Sequence, residues 1–170
     1  MEHRHKGFGF TAETKRAIDS KYDIESEREA LEWIDAVLGG NSGLKGVTGK
    51  DNVQQALANG IILCNLMNAI NPGAVKKVHP ENANKFKHQE NVHNFLVGSE
   101  AYGCHRGDIF QTVDLTEDRN MPAVIKGIHT LGRTAQKNNF SGPTIGPKVS
   151  TPNKREFSEE QMRHGRVHGI

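Results

Sequence analysis

The chain has 170 residues, 35% of them hydrophobic and 25% charged, with a net charge of +2. That length and balance fit one folded domain with a sizeable core and polar extensions. No apolar run approaches the ~20 residues needed to cross a bilayer, and the polar, basic start has no apolar stretch of a secretory signal.

The charge is unevenly spread. Residues 1–21 and residues 139–170 each hold five Lys/Arg against three Asp/Glu, whereas the middle of the chain is slightly acidic. A near-neutral core with basic arms argues against a nucleic-acid domain, which usually carries a basic face. It suits weak attraction to an acidic partner. The two cysteines, Cys64 and Cys104, make no disulfide framework, so a reduced, cytosolic protein is the simpler expectation.

Residues 1–10 have no periodicity and read as a flexible arm, with Phe8 and Phe10 placed to fold back on the domain. His3 and His5 lack further ligands, so no metal site is assigned. Thr11 can cap a first helix over Ala12 to about Lys21. A second is expected over Ile24 to Leu38, opened by Ser26 and Glu29 as a capping box. Its apolar stripe is Ala30, Leu31, Trp33, Ile34, Val37 and Leu38, and the single tryptophan belongs in the core. The glycine-rich loop 39–51 fails the phosphate-loop template. Leu44 stands where a glycine is required and Asp51 where Ser or Thr is required, and no strand precedes it.

A short helix over Asn52–Leu57, with Asn52 as its cap, leads through Ala58-Asn59-Gly60 to an apolar helix, Ile61–Ile70, ended by Asn71-Pro72-Gly73. Residues 75–84 read as a polar connector. The stretch from Phe86 to Leu115 is the most informative. Val92, Phe95, Leu96 and Tyr102 fall at helical spacing with Phe86 just upstream, while Glu90, Asn91, His93, Asn94 and Glu100 occupy the other face. Gly103 stops this helix. A turn at Asp108 to Phe110 precedes the apolar run Val113–Leu115.

Asp114, Thr116, Asp118 and Asn120 alternate like a calcium loop, but Arg119 replaces the glycine and Ile125 the glutamate, so calcium binding is set aside. The last helix is expected over Met121–Lys137, with Pro122 in its first turn and Val124, Ile125, Ile128, Leu131 and Ala135 buried. From Asn138 onward packing should fall away, because residues 139–153 are rich in Pro and Gly and poor in apolar side chains.

These residues carry a family resemblance over about residues 8–170. Leu57-Ala58-Asn59-Gly60-Ile61-Ile62-Leu63-Cys64-Asn65-Leu66, the string Asp108-Ile109-Phe110-Gln111-Thr112-Val113-Asp114-Leu115, Trp33 in the first long helix and the Leu131-Gly132 pair resemble a calponin-homology domain of the calponin and transgelin group. The tail from Lys154, Lys-Arg-Glu-Phe-Ser-Glu-Glu-Gln, resembles the start of a calponin-like repeat, which breaks off at Gly169-Ile170. The resemblance implies an all-α domain of about four main helices over residues 11–138 (core about 24–137), a flexible arm before it, and a flexible linker with a truncated repeat over 139–170. The expected core includes Trp33, Leu63, Leu66, Phe95, Leu96, Tyr102, Phe110 and Leu131.

The resemblance also implies a cytoplasmic, cytoskeletal protein that binds or bundles actin filaments and modulates contractility, with no cofactor. On the tail, Lys154, Arg155 and Phe157 form a compact cation-and-aromatic candidate for the filament contact. Ser158 and Thr151 are candidate phosphorylation sites, where a phosphate would cancel nearby positive charge. The alternative is an adaptor whose single domain binds kinases or other cytoskeletal proteins. An enzyme is not expected: the histidines are dispersed, His88 and His93 do not share a helical face, and adjacency alone does not make Cys104 and His105 a catalytic pair.

Overall fold

The computed structural model describes residues 11–146, and these are all-helical. The elements are α1 (Ala12–Asp19), α2 (Ile24–Val37), α3 (Lys50–Leu57), α4 (Ile61–Ile70), α5 (Lys85–Tyr102), a 3-10 turn at Arg106–Asp108, α6 (Thr112–Thr116) and α7 (Met121–Lys137). The expected four main helices are α2, α4, α5 and α7. α4 packs on α5, α7 on α2, and α2 on α4, while the short elements close the sides.

The stripes meet in one core. Trp33 is 2% exposed, and Leu63, Leu66, Leu96 and Leu131 are buried with it. Phe95 stacks on Phe110, with ring centroids 6.2 Å apart, which ties α5 to the segment before α6. Tyr102 packs at the edge of this core and is only half-buried. Phe86 is 78% exposed. It lies nine residues before Phe95, about two and a half turns, so the two rings point to opposite sides of α5.

Two helix caps and one element differ from the sequence expectation. Asp23, not Ser26, caps α2: its carboxylate accepts from the Glu25 backbone N–H at 3.1 Å, and Ser26 Oγ donates to it at 2.9 Å. An ionised oxygen earlier in the chain displaces the hydroxyl. α3 begins at Lys50 behind Gly49, whose φ of 97° suits glycine, while Asn52 lies within the first turn and donates to Thr48 O. The run Val113–Leu115 is part of one helical turn, with Asp114 accepting from the Gln111 backbone N–H at 2.8 Å.

Asn91, expected on the polar face, is 0% exposed. Its side chain accepts from His79 N at 2.8 Å and donates to Asn59 O and His79 O at 2.9 and 3.0 Å. One amide thereby pins the 75–84 connector and the α3–α4 turn to α5. Gly60 shows why that turn needs glycine: it has φ 76°, and a Cβ there would sit 2.5 Å from Asn91 Cβ.

Packing does not end at Asn138. Ile145 is 7% exposed and lies against Gly132, and the Trp33 indole N–H donates to Pro143 O at 2.9 Å. The expected linker is therefore part of the folded body over residues 139–146. Ile145, the partly buried Phe140 and the Pro143 carbonyl aimed at a buried indole tie it to the core.

Candidate interaction surfaces

A surface that binds a protein partner needs accessible charge and apolar anchors on a rigid support. The candidates Lys154, Arg155, Phe157, Thr151 and Ser158 all lie outside the described residues. Within them, an apolar concavity lies along α2.

The loop 39–49 stands off α2 and borders a half-open cavity of about 680 Å³, lined by Leu31, Leu44, Val47, Arg28, Glu32 and Lys45. Two anchors hold this loop. At its start, Asp35 Oδ1 accepts from Ser42 Oγ at 2.6 Å and Ser42 N at 3.2 Å. The Ser42 hydroxyl, then its backbone N–H, hold the Asp35 carboxyl below its ordinary range, with a smaller contribution from Lys45. At its end, Glu27, only 1% exposed, accepts from Tyr22 Oη at 2.7 Å, Thr48 Oγ1 at 2.7 Å and Gly49 N at 2.9 Å. Burial, then the Glu27 carboxylate, push the Tyr22 phenol upward.

A second, smaller trough lies on the other side of the Arg28–Glu32–Ala36 ridge, where Thr144 and Gly146 lie beside Glu29 and Trp33. This face is acidic. Arg28 pairs with Glu25 and with Glu32, and Glu29 stands 4.0 Å from His129 Nε2.

A third charged group joins three elements. Lys50 Nζ lies 3.0 Å from Asp118, 2.9 Å from Asp51 and 3.9 Å from Asp19, and Lys15 reaches both Asp19 and Asp118. Burial pulls the Lys50 ammonium down, but Asp51 and Asp118 outweigh it and hold the group above its ordinary value. Asp118 has φ 52°, so the former calcium-loop candidate is a strained turn tied to lysines.

Among the described residues, neither cysteine is poised as a nucleophile. Burial pushes the Cys64 thiol up to about 12, and it also raises Cys104, whose Sγ meets Thr134 Oγ1 at 3.5 Å. His105 is exposed, and His88 contacts Pro80 O. Among the described residues, no group of three or more His, Cys, Asp or Glu could hold a metal ion, and no helix is long and apolar enough to cross a membrane. Sequence reasoning missed Glu27 and Asn91. Both are polar residues at positions that helical spacing turns inward, and spacing alone is the signal that could have found them.

Residues 24–137 match the model of the calponin homology (CH) domain. The chain is 42% identical over 158 residues to Myophilin of Echinococcus granulosus, covering 92% of this chain and 80% of that protein. It is 37% identical over 151 residues to Muscle-specific protein 20 of Drosophila melanogaster, covering 88% and 79%. The calponin-homology domain of an IQGAP protein from Schizosaccharomyces pombe superposes with a TM-score of 0.62 at 25% identity, covering 79% of this chain and 81% of that one. With that match spanning α2 to α7 and these relatives extending it over most of the sequence, the chain belongs to the calponin-homology family, in its calponin and transgelin group of structural cytoskeletal proteins.

Proposed function

We propose that this protein associates with actin filaments without catalysing a reaction, its helical body serving as a scaffold and its basic tail making the contact. The observation that carries this reading is the similarity to two muscle-type relatives over about nine-tenths of the chain, well beyond the domain itself. The C-terminal tail contains Lys154, Arg155 and Phe157. Two cations would supply attraction to an acidic filament, and the aromatic ring would supply the buried anchor. The outer face of α2 supports the same division of roles, since its carboxylates would repel an acidic filament.

Co-sedimentation of the full chain with filaments tests this. Alanine at Lys154, Arg155 and Phe157 together should weaken pelleting about tenfold or more. Wild-type pelleting should fall as salt is raised. Equal pelleting of the two proteins would remove the tail from the contact. Pelleting of neither would move the protein to the adaptor reading.

A further inference from the structure

We infer that residues 147–155 of this chain, Pro-Lys-Val-Ser-Thr-Pro-Asn-Lys-Arg, dock across the acidic face of α2 and into the cavity beneath the 39–49 loop. Three observations choose this occupant. The first is where the described chain ends. Gly146 lines the trough on α2, held there by Ile145 against Gly132 and by Pro143 O on the Trp33 indole. The next residue therefore starts on the surface in question. Thr11, the other end, caps α1, which packs on α7 instead.

The second is charge. The two troughs are lined by the exposed Glu25 and Glu32 and the partly covered Glu29 and Asp35, against only Arg28 and Lys45. Residues 147–155 carry Lys148, Lys154 and Arg155 and no acidic residue. The third is reach and shape. Nine extended residues span at most about 30 Å, and the 14 residues of α2 are about 21 Å long. Pro147 and Pro152 restrict the segment toward extended conformations, which lowers the entropy lost on docking. The ridge between the troughs drops at the exposed Ala36, leaving room to cross. Val149 is the apolar side chain available for the cavity wall formed by Leu44 and Val47.

Docking would hold Lys154 and Arg155 against glutamates and so withhold them from a filament. A phosphate on Thr151 would face those same glutamates and release the segment. This regulatory consequence rests on the filament reading above; the docking itself does not.

The test uses amide spectra of the isotope-labelled full chain without filaments. A Lys148→Ala, Lys154→Ala, Arg155→Ala variant should shift amides of Glu25, Glu32 and the 44–48 loop. Reciprocally, Glu25→Lys with Glu32→Lys, both exposed, should shift amides of 147–155. About 0.5 M salt, which shortens the screening length to a few Å, should move the wild-type spectrum toward the variants. Changes confined to each substitution's neighbours would overturn the inference. So would changes that grow with protein concentration, which would make a second copy the occupant. Because no filament is present, loss of these shifts leaves the pelleting result standing, and the reverse also holds.

Discussion

Glu27 sits in the apolar stripe of α2, yet its carboxylate is buried among three donors from Tyr22, Thr48 and Gly49. Removing it strands those donors. Glu27→Ala should therefore lower unfolding free energy by about 3 kcal/mol in denaturant titrations. Glu27→Gln keeps an acceptor for Tyr22 and Gly49, and the Thr48 hydroxyl can rotate to accept from the new amide, so its cost should stay near 1 kcal/mol. Equal losses would mean that charge, not acceptor geometry, holds the loop. Helical spacing turns Glu27 inward, but the local sequence does not name its partners, because Thr48 and Gly49 lie a helix and a loop away. Asn91 was hidden for the same reason: its partners, Asn59 and His79, come from two other segments.

The start of the 39–49 loop gives a pH prediction. Hydrogen bonds from Ser42 lower the Asp35 pKa in the folded state below the ordinary 3.8. A depressed carboxyl contributes stability that is present above its unfolded pKa and is lost as pH falls through the folded value. Ser42→Ala should thus bring the carboxyl titration of Asp35, followed by NMR, back up toward 3.8. It should also flatten the loss of stability on acidification. An unmoved titration would assign the depression to the backbone N–H of residue 42, which the substitution keeps, and to Lys45. Helix existence was legible here from periodicity, and Trp33, Gly60 and the α7 stripe all fall where the pattern puts them. Helix caps were less so, since Asp23 and Ser26 are both competent caps and only geometry decides between them.

The largest revision concerns where the folded body stops. Residues 139–146 look like linker because glycine and proline dominate, but Ile145 fills the gap above Gly132 and Pro143 satisfies the Trp33 indole. A chain ending at Asn138 exposes that surface and should lose about 2–5 kcal/mol, the usual range for removing a buried Ile side chain. A chain ending at Gly146 should melt far closer to the full-length protein than the chain ending at Asn138 does, short of it only by the weak docking of residues 147–155; comparing the thermal transitions checks this. Matched melting of all three would make the segment an ornament on the domain.

That boundary also fixes how the filament contact must be tested, since cutting at Asn138 would confuse unfolding with loss of contact. The decisive measurement is filament co-sedimentation of the chain ending at Gly146 beside the full chain, at matched stability and low salt. If the tail makes the contact, the shortened protein stays in the supernatant while the full chain pellets. If the shortened protein pellets equally well, the contact belongs to the helical body, contrary to what is proposed here.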